Sequence, residues 1–141
     1  MTPMSTRRQR GAAVLLALLF GLVMVLAVSA TASLAAAHMR AAVRAKEQAA
    51  ARAAAESGAA ACIAALRSGG ANGAISGEAV GARYEARWSG SPAEFTVEST
   101  GIAERKDSPA VQWSLRFTGR FDGATPIYTR CRVGSALRRE R

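Results

Sequence analysis

Few residues in this chain of 141 could do chemistry. There is one histidine, His38, and there are two cysteines, Cys62 and Cys131. Glu47 and Glu56 lie more than two turns apart on one helical stretch, too far to act as a general acid and base pair. In the second half, carboxylates such as Glu85 alternate with arginines, which is the pattern of charge pairing across strands. His38 stands where a long apolar run ends, a place for a solvated or interfacial residue rather than a ligand or base. No Gly-rich phosphate loop, nucleophile elbow or H-E-x-x-H helix occurs. The expectation is a protein without catalytic residues, metal, cofactor or small-molecule substrate.

The cysteines match no metal-binding spacing and no C-x-x-C redox motif, which leaves a structural disulfide or two unrelated thiols. The net charge is +9, spread over the N-terminus, the middle and the C-terminal half. A nucleic-acid footprint would concentrate it on one face or interleave it with stacking aromatics. No nucleic-acid partner is expected.

The elements that position these residues begin with the run from Ala12 to Ala37, which carries no charge. It exceeds the roughly 20 residues needed to cross a bilayer as a helix. Arg7, Arg8 and Arg10 precede it and favour a cytoplasmic N-terminus, although Arg40, Arg44 and Lys46 follow it and weaken the bias. Beyond it, alanine, arginine, lysine, glutamate and glutamine predict that the helix continues to about Leu66. Ser68, Gly69 and Gly70 then supply a stop. Ala55, Ala59, Cys62, Ile63 and Leu66 form an apolar stripe on this extension, the face expected to cover a sheet.

Past Gly81 the period changes to two. Tyr84 and Trp88, then Phe95 and Val97, then Val111, Trp113, Leu115 and Phe117 alternate with polar residues, which predicts antiparallel strands with one wet face. A last strand, Ile127 to Val133, places Ile127, Thr129, Cys131 and Val133 on one side and Tyr128, Arg130 and Arg132 on the other. Cys131 then faces the sheet's interior and Cys62 faces the sheet, so a bridge between them is expected if the C-terminal part is exported. Closing a loop of about 70 residues would stabilise by about 4 kcal/mol. The alternative is two buried free thiols.

A basic leader ending in glycine, a long apolar helix, its extension and a small antiparallel sheet together resemble the organisation of type IV pilin-like proteins. RRQRGAAVLLALL, with Gly11 followed by Ala12, looks like a prepilin peptidase junction. ARAAAESGAAACIAAL resembles the helix of PilX-family minor pilins and of the K-type pseudopilins of type II secretion, and FTVESTGIA looks like their first sheet segments. The resemblance implies cleavage after Gly11 by a prepilin peptidase, a bacterial inner-membrane helix with the C-terminal part in the periplasm, and packing against other pilin or pseudopilin subunits through that helix. Major pilins carry a glutamate at the fifth position after cleavage, where this chain has Leu16. A subunit lacking that charge fits a tip or priming role, since the glutamate serves to pair with a neighbour's amine.

The fold expected is α+β, a long N-terminal helix packed on about four antiparallel strands. Residues 1–11 form a leader, 12–37 a transmembrane and assembly helix, 38–67 its periplasmic extension and 68–141 a β head with a basic tail. Two other readings stand beside the assembly subunit. One is a small secreted domain cut by signal peptidase at the Ala30, Thr31, Ala32 pattern. The other is a single-pass anchored scaffold of the TadE/TadG kind.

Overall fold

A computed structural model of the chain describes the backbone of residues 5–105 and 108–138 and the side chains of residues 13–104 and 109–136. One helix, α1 (Ser5–Arg67), precedes five strands: β1 (Asn72–Ala79), β2 (Ala82–Ser91), β3 (Glu94–Arg105), β4 (Ser108–Asp122) and β5 (Thr125–Arg138). The chain divides into two compact units, Met1–Val43 and Arg44–Arg141. In the second, the helix packs on a single antiparallel sheet of order β1-β2-β3-β4-β5. This is an α+β arrangement, consistent with a pilin-like fold.

The helix ends where glycine permits. Gly69 has φ +93°. Its N–H donates to the Leu66 carbonyl at 3.2 Å, and the Gly70 N–H donates to the Ala65 carbonyl at 3.1 Å. This pair of bonds is a Schellman cap, which satisfies carbonyls that the last turn would leave open.

The sheet has one strand more than the alternation of apolar residues predicts. NGAISGEA has no large apolar residue except Ile75, yet it forms β1 by pairing along its whole length with β2, from Asn72 opposite Ser89 to Ala79 opposite Ala82. The aromatic residues of β2 supply what β1 lacks. A methyl group placed on Gly73 would collide with the Trp88 indole, and one on Gly77 would meet the Tyr84 hydroxyl at 2.6 Å, so both rings lie across the glycines of the neighbouring strand. Such cover compensates for the missing glycine side chains at an edge.

The core lies between the C-terminal part of the helix and one face of the sheet. Ala59, Cys62 and Leu66 pack with Ala86, Phe95, Val97 and Phe117, while Ala51 and Ala54 pack with Ala82, Ala103 and Val111. The buried helical face is thus made mostly of small residues. Small side chains bring backbones together, and here they do so at Gly101 of β3, where a methyl group would run into the Ala51 carbonyl oxygen. Ser99, two residues earlier on the same face, is buried and donates its hydroxyl to the Ala55 carbonyl at 2.7 Å. Gly58 completes the contact, since a methyl group there would meet the Ser99 Oγ at 2.6 Å and the Tyr84 ring at 2.8 Å.

Candidate functional site

Two surfaces stand out, one on each unit. The first is the apolar stretch of α1. Its most apolar window has a mean hydropathy of 2.8 and none of it is buried within the chain. From Val14 to Leu34 the large apolar side chains are exposed, Leu16 at 66%. Burying such a side chain is worth about 1.5–3 kcal/mol, so a surface of this kind needs lipid or other helices around it. The hydroxyls within the stretch are satisfied locally: Thr31 donates to the Val28 carbonyl at 2.9 Å and Ser33 to the Ala30 carbonyl at 2.8 Å. Polar groups bonded back to their own helix can enter hydrocarbon without an open donor. Among the described residues there is therefore one helix, near the N-terminus, that is long and apolar enough to cross a membrane. Gly11 and Ala12, the expected junction, fall within the backbone span of α1, and their side chains lie outside the described residues.

The second surface lies on the head. The residues expected to form the sheet core all share the face turned to the helix. Phe95, Val97, Val111 and Phe117 are buried, and Tyr84, Trp88, Trp113 and Leu115 are half-buried. Each half-buried indole has a partner at its polar or charged side. Trp88 Nε1 donates to the Gly70 carbonyl at 3.3 Å, and the Arg52 guanidinium sits 6.0 Å from the Trp113 ring. On the helix, Ala55, Ala59, Cys62 and Leu66 are buried, while Ile63 is half-buried at the margin of the core.

The cysteines depart from the expected pairing. Both are free, with Cys62 buried and Cys131 exposed. Cys62 points into the centre of the sheet among Phe95, Val97 and Phe117. Cys131 lies opposite Phe117 on β5, one strand further out. The helical residues that border β5 are Glu56, Ala59, Ala60 and Ile63, so the helix presents Ile63 to that side instead of Cys62. Burial pushes the Cys62 thiol up to about 11, because a thiolate there would lose its hydration.

The faces of β5 also differ from the simple alternation. Thr118 pairs with Arg130 but Gly119 pairs with Tyr128, so Thr129 is an extra residue in β5, a bulge. The Thr129 hydroxyl donates to the Thr118 carbonyl at 3.1 Å and anchors it. The bulge switches the phase of the strand. Tyr128 joins Cys131 and Val133 on the face turned to the helix, its ring 5.1 Å from that of Phe117, while Ile127 goes to the other face opposite Arg120. Nothing in IYTRCRV announces this, since either phase puts some apolar residues on each side.

The helix does not extend over β5. Leu115, Phe117, Tyr128 and Cys131 line an open groove of about 370 Å³ beside Glu56, Ala59, Ala60 and Ile63. On the reverse of the same strands lie Arg116, Arg130 and Arg132. Glu98 bonds to Arg116 at 3.1 Å, and Arg83 bonds to Glu104 at 3.0 Å, which are the charge pairs across strands that the alternation predicts. All four side chains are more than half exposed, so each pair contributes at most about 1 kcal/mol. His38 is exposed on the helix. Among the described residues, no three His, Cys, Asp or Glu side chains are grouped as metal ligands would be.

Sequence reasoning missed Ala51, Ala54, Gly58 and Gly101, small residues that set the helix on the sheet; alternation places Ser99 on the face of Phe95 and Val97 but does not reveal its bond to the helix. The pairing of Ser99 and Gly101 within an otherwise apolar strand face was the available signal. Comparison with protein-family models, curated proteins and solved structures finds no match to this chain.

Proposed function

We propose that this protein is a non-enzymatic, minor pilin-like subunit that acts in assembly or initiation of a type IV pilus or a related type II secretion pseudopilus. The observation that carries the reading is α1 itself. One unbroken helix supplies both an apolar stretch with all its large side chains exposed and, toward its C-terminus, the small-residue face that seats the sheet. An anchor meant only for removal needs a cleavable, turn-like segment before the folded domain. Here the Ala30, Thr31, Ala32 pattern is helical, with Thr31 and Ser33 bonded back into the helix.

In this reading the apolar helix resides in the bacterial inner membrane with the head in the periplasm, until the helix leaves lipid to pack among the helices of other subunits. A prepilin peptidase removes residues 1–11, leaving Ala12 as the new N-terminus. Leu16 then occupies the fifth position without the charge that pairs with a neighbouring amine, which suits a subunit with no neighbour beyond it. Omitting an unpaired carboxylate also spares about 2.5–3.5 kcal/mol in the hydrocarbon.

The test is the N-terminal sequence and intact mass of the protein extracted from membranes of a host that expresses a prepilin peptidase. The expected N-terminus is Ala12. A start near Ser33 would move the protein to the secreted class, and an intact Met1 in membranes would favour a single-pass scaffold.

A further inference from the structure

β5 is the last strand of the sheet order, and among the described residues its outer edge has no partner strand. Proteins usually blunt such an edge with charged side chains, prolines, bulges or a covering element, because its free N–H and C=O groups invite another chain. In β5, Pro126 and the bulge at Thr129 lie at the start of the strand, and beyond them the only such device among the described side chains is the charge of Arg130 and Arg132, which stands on one face and repels strands that bring no opposite charge. From Arg130 to Arg138 the pairing with β4 runs without a register shift, which leaves a regular open edge.

The two faces beside this edge are chemically distinct. On the helix side, Tyr128 is 53% and Val133 is 56% exposed, next to the groove with Ile63, Leu115 and Phe117, where Glu56 at the rim is held by Arg52 at 2.8 Å. On the other side Arg132 stands directly opposite Arg116, and Arg130 lies beside them around a cleft of about 180 Å³. Arg116 already holds Glu98, whereas among the described residues neither Arg130 nor Arg132 has a carboxylate partner. Like charges directly opposite across strands destabilise a sheet, so this arrangement costs stability that an incoming anion would return.

We propose that the free edge of β5 receives an extended segment of another protein, alternating apolar and acidic residues, as a sixth strand. The two-residue period of a strand sends alternate side chains to opposite faces. Apolar residues of such a segment meet Tyr128, Val133 and the groove, its acidic residues meet Arg130 and Arg132, and main-chain hydrogen bonds supply the affinity. A second copy of this chain is the wrong partner at this edge. Pairing β5 with β5 would bring the arginines of both copies together, a repulsion that rejects self-association. The proposal stands on the head alone and holds whether or not α1 enters a filament.

The experiment uses the full chain in nanodiscs of neutral lipid and fluorescent synthetic peptides read by anisotropy. One peptide alternates valine and glutamate, one has the same composition with its glutamates in a block, and one alternates valine and lysine. The alternating acidic peptide is expected to bind at least about tenfold tighter than the other two, and the double substitution Arg130→Glu, Arg132→Glu is expected to invert the preference toward the lysine peptide. Arg130→Gln with Arg132→Gln, checked for folding by circular dichroism, should abolish the preference without inverting it. Equal binding of blocked and alternating peptides, or equal competition by phosphatidylglycerol vesicles, would mean a general anion surface and overturn the proposal. Dimerisation through β5, seen by ultracentrifugation and relieved by a bulky label on Cys131, would overturn it as well.

Discussion

Replacing Gly101 by alanine probes the seat of the helix on the sheet. The added methyl would overlap the Ala51 carbonyl oxygen and come within 2.8 Å of the Ala55 nitrogen. Both atoms belong to helix backbone, so no side-chain rotation relieves the clash, and the helix must lift from β3. Overpacking of this kind costs about 1–3 kcal/mol. Lifting also stretches the Ser99 to Ala55 hydrogen bond, now 2.7 Å, worth about 1 kcal/mol. The combined loss of about 2–4 kcal/mol is a large share of the 5–15 kcal/mol typical of a domain. At about 4 °C or more per kcal/mol, the melting midpoint should fall by about 8 °C or more. Thermal melting of the full chain in detergent, followed by tryptophan fluorescence, reads this directly, because Trp88 and Trp113 both lie in the head. Gly134→Ala is the control, since its methyl would meet only the Ser114 Oγ at 2.9 Å, and that hydroxyl can turn away at the cost of one exposed 3.3 Å bond to the Gly134 carbonyl. Ser99→Ala alone should cost only about 1 kcal/mol. If Gly101→Ala melts within about 2 °C of the parent protein, the close approach of helix and strand is wrong.

The cysteines give a second test. At neutral pH a thiol-specific reagent should modify exposed Cys131 and leave Cys62 untouched until the head unfolds, as counted by mass spectrometry. Because the Cys62 thiol is raised from its ordinary 9.0 to about 11, the unfolded chain holds fewer protons than the folded one between those values. Stability from this group is therefore complete below about pH 9 and lost as the pH rises toward about 11, which denaturant titrations at several pH values would show. Val80, 74% exposed, occupies the left-handed region at φ 55° ahead of Gly81 at 72° in the β1–β2 turn. A β-branched residue is strained there, and Asn-Gly is the favoured pair for such a turn, so Val80→Asn should stabilise the head by about 1 kcal/mol in chemical denaturation.

Much of the head was legible from local pattern. The helix stop at Ser68 to Gly70 was visible because glycine alone enters the left-handed cap easily, and β2, β3 and β4 because their large residues alternate. β1 was hidden, since its glycines are covered by Trp88 and Tyr84 of another strand and carry no pattern of their own. The faces of β5 and the separation of Cys62 from Cys131 were hidden for a related reason. One bulge and the choice of which helical residues border β5 decide them, and neither leaves a mark in residue type.

Composition and periodicity alone determined that the chain has an apolar helix long enough to span a membrane, an α+β head and helix-facing aromatic residues on β2 to β4, because burial and backbone propensity act on each segment by itself. Tertiary structure alone decided how closely the helix sits on Gly101 and Ser99, which residue of the helix borders β5, and that β5 remains an open edge with Tyr128 and Val133 on one face and Arg130 and Arg132 on the other. Those properties depend on which surfaces meet, and small residues, a single extra strand residue and the reach of one helix set them at a distance in the chain.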